Sequence, residues 1–125
     1  MTPVPYVAAL HFEQIQAWVQ SRGDVITPDA LPQTGFIIPG KAAGFLYRTD
    51  SSIAWLEGLV AAPGLEREER SQAVDAVVAA LLNAAQQQGV KTLMAYTLLD
   101  AVVKRSERFG FTYVSGGFHL IARAV

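Results

Sequence analysis

Cysteine is absent from the 125-residue chain. Its absence excludes disulfides, thiolate nucleophiles and cysteine-based metal sites together. Histidine is nearly absent too, because only His11 and His119 occur, at opposite ends of the chain and without ligand spacing. The sequence therefore predicts no metal site.

The chain also lacks a charge excess of one sign. Charged residues make up 17% of it and the formal net charge is −1, so no basic field for nucleic acid and no cationic face for a membrane is expected. No stretch approaches the roughly 20 apolar residues that span a bilayer. The apolar run at residues 2–10 lacks the cationic flank of a signal peptide. We therefore expect a cytoplasmic protein that binds neither nucleic acid nor membranes.

Apolar residues, by contrast, are plentiful at 51%, which predicts one folded domain over residues 1–125. Residues 6–10 are a strand candidate, and the spacing of Ile15, Trp18 and Val19 predicts a helix over residues 11–22, closed by Gly23. Both tryptophans, Trp18 and Trp55, are interpreted as core aromatics. Three strand candidates follow, at residues 35–38, 43–47 and 53–60, separated by turn sequences that favour an antiparallel meander.

The second half begins with the longest helix of the chain, which is expected to start after the charged residues 66–70. Its apolar stripe runs from Val74 to Ala85, and Gly89 is expected to end it. A buried strand is predicted over residues 92–98, with Tyr96 packed in the core or in a groove, and then a helix over residues 100–108 with Asp100 as its N-cap. Strand patterns at residues 111–114 and 118–123 predict a closing hairpin around Ser115-Gly116-Gly117.

The predicted order is β-α-β-β-β-α-β-α-β-β. It indicates an α/β (α+β) fold with a mixed, mostly antiparallel sheet, helices packed on the sheet, and a central strand-helix-strand unit whose two strands are parallel. The edge left open beside the closing hairpin favours a homodimer.

This order resembles the GCN5-related N-acetyltransferase (GNAT) superfamily with a shortened N-terminal half, which makes the chain a short and divergent relative. The segment from Trp55 to Pro63 is similar to the family's fourth strand, which ends in Val-x-x-Pro. The segment from Arg70 to Asp75 stands where the family has its phosphate-cradling R/Q-x-x-G-x-G/A. The segment from Asp100 to Phe111 resembles the family's N-x-x-A…Y-x-x-x-G-F.

The resemblance implies that acetyl-CoA is the cofactor and an amine of a small molecule or peptide the acceptor, with direct transfer and no acyl-enzyme. The pantetheine arm would lie between splayed strands and pair with backbone near Leu59 and Val60. A helix N-terminus holds a diphosphate through free N–H groups and its dipole. The residues that the resemblance assigns to the diphosphate cradle are Arg70, Ser71, Gln72, Ala73, Val74 and Asp75. The resemblance also implies that Asp100 contacts the cofactor; the alternative is that Asp100 serves only as the N-cap of its helix.

The resemblance also implies catalytic positions. Glu57 stands on the strand where family members often place the carboxylate that serves as general base; the alternative is an outward-facing residue next to a buried Leu56. Ser106 stands where many members carry the tyrosine that protonates the departing thiolate. A small basic cluster lies near the end of the last predicted helix and consists of Lys104, Arg105 and Arg108. It would either bind the CoA 3′-phosphate or stabilise the negative end of the helix dipole.

The chain departs from the family pattern at three of these positions. Ala73 and Asp75 replace the two small residues of the cradle, and a carboxylate beside a diphosphate repels it. Ser106 is shorter than tyrosine and a much weaker acid. Two functions therefore remain open: an acetyl-CoA-dependent N-acyltransferase, or a GNAT-like binding or assembly module that has lost catalysis and binds CoA weakly or not at all.

Overall fold

The computed structural model describes residues 1–125 as a five-stranded sheet with helices on both faces. The strands are β1 (Val4–Pro5), β2 (Gly35–Ile38), β3 (Ala42–Arg48), β4 (Ile53–Ala61) and β5 (Thr92–Met94), in the spatial order β1-β2-β3-β4-β5. The helices are α1 (Ala8–Ser21), α2 (Arg67–Gln87) and α3 (Asp100–Glu107), with a 3₁₀ turn at Pro28–Ala30. None of the helices is long and apolar enough to cross a membrane.

The sheet is mostly antiparallel, as predicted. Neighbouring strands run antiparallel from β1 to β4, and β4 pairs with β5 in parallel across α2. The predicted fold class and the central strand-helix-strand unit are therefore confirmed. Parallel neighbours need a long crossover, and α2 is that crossover.

Two apolar clusters lie on the two faces of the sheet. Helix α1 contributes Ile15 and Trp18 to one cluster, where they pack on Phe45 and Val60. Helix α2 covers the opposite face with its predicted apolar stripe, of which Leu81 is fully buried. The helical spacing of apolar residues in the sequence therefore identified both sheet-facing surfaces.

Several predicted boundaries are wrong. The first strand comprises Val4–Pro5 and helix α1 already begins at Ala8, so residues 8–10 are helical rather than extended. Strand β5 ends at Met94 instead of residue 98, and Tyr96 is 58% exposed rather than packed in a core. The ladder with β4 ends at Met94 although β4 continues to Ala61, so beyond Met94 no ladder hydrogen bonds hold the chain extended.

The ends of the last two helices also differ from the prediction. Charged residues 67–70 form the first turn of α2 rather than a loop before it, because acidic side chains favour a helix N-terminus. The N-cap of α3 is Leu99 and no side chain caps that helix, so Asp100 is its first residue instead of its cap. Gly23 and Gly89 follow the first two helices with positive φ, as predicted, and Gly110 follows α3 in the same conformation.

The predicted closing hairpin is not formed. Residues 111–125 contain no helix or strand, and every residue from 112 to 125 is exposed. The strand pattern is in the sequence, but in the single chain no neighbouring strand satisfies its backbone groups.

Candidate functional site

Strand β4 and strand β5 separate along the sheet. Their parallel pairing runs from Ile53↔Thr92 to Trp55↔Met94, whereas β4 continues to Ala61. Residues 56–61 of β4 therefore have a partner on the β3 side and none on the β5 side. An unpaired strand edge beside a gap accepts an extended ligand through backbone hydrogen bonds.

A β-bulge lies at the start of this unpaired stretch. The register of β3 and β4 shifts between Ala43 and Phe45, so Gly58 and Leu59 together oppose Gly44. Gly58 has a φ of 68°, a left-handed conformation that glycine adopts at little cost. The extra residue reverses the alternation of the strand: Leu59 packs on the α2 side of the sheet, and Val60 is buried on the α1 side.

Leu59 and Val60 thus keep their side chains in the two clusters while their backbone lies along the gap. Arg22, just after α1, donates from Nη1 to the Leu59 carbonyl over 3.4 Å. A bond this long and solvent-exposed is readily exchanged for one from a ligand amide. This backbone is where the sequence predicted the pantetheine arm.

An acidic and aromatic group lies before the bulge. Trp55 and Glu57 share one face of β4, and Tyr47 on β3 is directly opposite Trp55. The Tyr96 ring lies edge-on to the Trp55 ring, with centroids 6.0 Å apart. Glu57 is half-buried on this face.

Two tyrosines in this group have perturbed titration. The pKa of Tyr96 is raised, first by its side-chain hydrogen bond with Glu57 and then by partial burial and the negative charge of that carboxylate. The pKa of Tyr47 is raised by burial, and further by the charges of Glu57 and Tyr96, while its hydroxyl donates to the Ala30 carbonyl over 3.1 Å. Both phenols therefore keep their protons at neutral pH.

Sequence reasoning did not place Tyr96 in the site. It favoured packing for this residue, because Tyr96 alternates with Met94 and Leu98 on one side of a predicted strand. The signal was present in that same alternation, which puts Tyr96 on the face of β5 that continues toward Glu57.

Ser106 lies apart from this group. It sits in the last turn of α3, where its hydroxyl donates to the Val103 carbonyl one turn earlier, over 2.6 Å. A serine that bonds back to its own helix is satisfied locally.

The N-terminus of α2 forms an open cleft of about 530 Å³. No hydrophobic side chain lines it; the lining residues are Glu66, Arg67, Glu68, Ser71, Gln72, Asp75 and Arg108. The Arg70 amide already bonds to the Glu66 carbonyl, so the free helix amides are those of residues 67–69. A phosphate group fits such a helix end.

The predicted cradle residues lie inside α2 rather than before it. Ala73 is fully buried and Val74 is half-buried, so neither faces the cleft. Ser71 and Gln72 line the cleft through their side chains, and Arg70 is exposed outside it. Asp100 is exposed at the start of α3 and does not line the cleft.

Asp75 is paired instead of free. Arg108 contacts one carboxylate oxygen at 3.1 Å and Arg105 contacts the other at 3.6 Å. Arg105 also donates to the Ser71 hydroxyl over 2.9 Å. The charge expected to repel a diphosphate is thus offset by two guanidinium groups from α3, and the same contacts attach α3 to α2.

The chain is similar to known proteins in its structure, but its sequence matches none of the families or curated proteins compared. No protein-family model and no curated protein matches the chain. A Mycobacterium tuberculosis protein in complex with CoA superposes with a TM-score of 0.76 at 15% identity, over 93% of this chain and 74% of the other. A putative acetyltransferase from Agrobacterium tumefaciens gives a TM-score of 0.71 at 16% identity, over 98% and 100% of the two chains.

A GNAT family acetyltransferase from Streptococcus pneumoniae is similar to the same degree. Its TM-score is 0.69 at 15% identity, over 98% of this chain and 97% of the other. At sequence identities this low, the similarity supports a shared fold only. The chain has the fold of the GCN5-related N-acetyltransferases.

Proposed function

We propose that this protein is an acetyl-CoA-dependent N-acyltransferase that acts on an amine. The observation that carries the proposal is the gap between β4 and β5, along the stretch of β4 that contains Glu57 and the bulge at Gly58. The similar fold of proteins solved with CoA supports this choice.

The gap and the cleft fit the two ends of CoA. The backbone of residues 56–61 offers hydrogen bonds to the amides of the pantetheine arm. The free amides of residues 67–69 and the guanidinium groups of Arg67 and Arg108 offer a site for the diphosphate. Acetyl-CoA, when bound, would supply an acyl group activated as a thioester.

Charge in the cleft limits how tightly the diphosphate binds. Glu66 and Glu68 lie at its edge and repel an anion, while Arg67 and Arg108 attract it. Asp75 and Arg108 offset each other as an ion pair, so together they add little net charge to the cleft. We therefore expect micromolar rather than nanomolar affinity, with a strong dependence on salt.

Glu57 is the proposed general base. Its carboxylate takes the proton of the acceptor ammonium, directly or through one water, so that the neutral amine can attack. Tyr96 holds a proton at its hydroxyl beside this carboxylate. We infer that this proton is available to the leaving sulfur, in place of one from Ser106, whose hydroxyl is bonded to its own helix.

One observation favours the second candidate, a CoA-binding or assembly module without catalysis. Ser106 stands where the family carries its acidic tyrosine, and Tyr96 reaches the site from a different element, the segment between β5 and α3. Under this alternative CoA binds weakly or not at all, and no acyl transfer follows.

The deciding experiment measures binding and turnover separately. Calorimetry and thermal shift with acetyl-CoA test the gap; at a ligand concentration 100 times Kd, binding adds about 2.7 kcal/mol to the free energy of unfolding. Thiol release over a panel of amines then tests transfer. Binding with no thiol release beyond solvent hydrolysis would favour the module, and an absent thermal shift at millimolar acetyl-CoA would refute the acyltransferase.

A further inference from the structure

Trp55 belongs to neither apolar cluster of the protein. The sequence assigned it to the core, but its side chain is only half-buried. It lies on the α1 face of β4, because its neighbours Ala54 and Leu56 belong to the cluster on the α2 face. A large aromatic side chain that the core does not use for packing is free to contact a ligand.

Two further aromatic rings flank Trp55. Tyr47 of β3 is directly opposite it on the same face of the sheet. Tyr96, in the segment after β5, brings its ring centroid to 6.0 Å from that of Trp55, at an interplanar angle of 68°. Rings at this angle form a corner rather than a parallel slot. A corner faces a compact group from two sides but cannot sandwich a flat ring.

The carboxylate of Glu57 lies beside these rings without a cationic partner. Glu57 follows Trp55 by two residues on the same face of β4, a spacing of about 7 Å. Both ion pairs of the structure involve Asp75, so neither involves Glu57. The carboxylate contributes to the raised pKa of Tyr96 first through their hydrogen bond, and to that of Tyr47 through its charge, after burial. A half-buried carboxylate without a partner attracts a cation from solution.

The rings and the carboxylate favour the same kind of ligand. The face of an aromatic ring carries partial negative charge and attracts a cation, and an apolar surface attracts methylene and methyl groups. An alkylammonium ion offers both the charge and the apolar groups. An anion would be repelled by Glu57, and a neutral ligand would leave the carboxylate unpaired.

We propose that Tyr47, Trp55 and Tyr96 form an aromatic subsite that binds a compact alkylammonium ion, with Glu57 supplying the opposite charge. Its role rests on the proposed acyl transfer: the acceptor is an alkylamine that binds as a cation, rather than an aromatic amine stacked between parallel rings. The three rings are then specificity-determining residues for the acceptor.

The order of residues along β4 suits this role. Trp55 comes first, Glu57 follows, and the backbone proposed for the pantetheine arm comes next at Leu59 and Val60. Glu57 therefore stands between the aromatic subsite and the stretch of the gap at Leu59. An alkylammonium ion held by the rings lies next to the carboxylate that would take its proton.

The test is a titration of the full-length chain with choline and with dimethylbutanol, its uncharged isostere, followed by NMR of the indole N–H groups. The chain has two tryptophans. Trp18 is 6% exposed in the α1 cluster and serves as internal reference, and Trp55→Phe identifies the second resonance. Choline should shift the Trp55 resonance with a millimolar Kd, about tenfold tighter than dimethylbutanol. An unmoved Trp55 resonance, or equal affinity for the two compounds, overturns the proposal.

Two variants of one residue separate the ring from its hydroxyl. Tyr96→Leu should weaken choline binding about threefold to tenfold, because it removes one ring face, whereas Tyr96→Phe should leave it unchanged. Tyr96 is 58% exposed and lies outside the helices and strands, so circular dichroism should show both variants folded. Tyr113→Leu, at a residue 68% exposed, is the matched control. Wild-type affinity for choline in Tyr96→Leu would remove the ring from the subsite.

The titration contains no CoA, so its outcome is separate from that of the proposed acyl transfer. The quaternary nitrogen of choline has no proton and cannot be acylated. Choline binding in a protein that releases no thiol with any alkylamine would keep the subsite and refute the transfer. Thiol release with alkylamines and no choline binding would keep the transfer and overturn the subsite.

Discussion

Arg108 of α3 donates from one guanidinium nitrogen to both carboxylate oxygens of Asp75 on α2, over 3.1 Å and 3.4 Å. The contact converts a carboxylate at the edge of the cleft into half of an ion pair. It also makes the cleft depend on α3, because Arg108, one of the two arginines that line the cleft, caps the end of that helix. The charge of the cleft is therefore a property of two helices together.

Replacing Asp75 with Asn tests whether a diphosphate binds in this cleft. The substitution leaves Arg105 and Arg108 without a carboxylate partner, so affinity for acetyl-CoA should rise several-fold at low salt. The free energy of unfolding should fall by about 1 kcal/mol or less, since the pair is partly exposed. Calorimetry at two salt concentrations measures the first effect and urea unfolding the second.

Asp50→Asn is the control for net charge, because Asp50 lies exposed in the link between β3 and β4, which does not line the cleft. It should leave affinity nearly unchanged. Equal affinity in the two variants would place the diphosphate elsewhere.

Glu57→Gln should lower kcat by about 10²–10⁴-fold while changing acetyl-CoA affinity little, because it removes a proton acceptor and keeps the shape. Steady-state thiol release measures the rate. Glu13→Gln on the exposed face of α1 is the matched control. An unchanged kcat in the Glu57 variant would remove this residue from the mechanism.

Tyr96→Phe tests whether Tyr96 protonates the leaving sulfur, separately from the role of Glu57 as the base. The pKa of Tyr96 is raised from its ordinary value of about 10, so its proton remains in place throughout the neutral range. If Tyr96 supplies it, wild-type kcat should fall only above about pH 10, and the variant should be slower below that pH and lose the alkaline fall. Tyr113→Phe, at a residue 68% exposed, should match the wild type.

Gly58→Ala tests the bulge that opens the gap. The residue has a φ of 68°, and an added Cβ would lie 3.0 Å from Cδ2 of Phe45. We expect a loss of about 1–3 kcal/mol in the free energy of unfolding, together with weaker acetyl-CoA binding. Gly40→Ala has a similar φ of 79° with nothing within 4 Å, so it carries the backbone penalty alone and should leave binding intact. Identical binding losses in both variants would argue against a specific role of the bulge.

Tyr6→Phe tests whether ionisation of the buried Tyr6 hydroxyl lowers the stability of the fold at high pH. The Tyr6 hydroxyl is buried without a hydrogen-bond partner, and burial raises its pKa. Removing an unsatisfied hydroxyl should leave stability at neutral pH unchanged or improved. Because the folded pKa lies above the unfolded one, the unfolded chain releases its proton first, and stability falls as pH rises above about 10. The variant should lose less stability there in thermal unfolding; a steeper loss than in the wild type would contradict this account.

The sequence by itself determined the order of elements from β1 to α3. Helical spacing identified the buried faces of α1 and α2, and short turn sequences identified the antiparallel strands, because these patterns depend on neighbours close in the chain. It also placed the candidate base at Glu57 and the ligand backbone at Leu59 and Val60, through resemblance to a family with a matching strand.

Only the tertiary structure decided which groups meet. The pairing of Asp75 with two arginines joins positions about thirty residues apart, and the contact of Tyr96 with Trp55 joins β4 to the segment that follows β5. The closing strands carried a correct local pattern and still formed no hairpin on the sheet in the single chain. A strand is completed by the hydrogen bonds of a neighbour, and no local pattern states whether that neighbour is present.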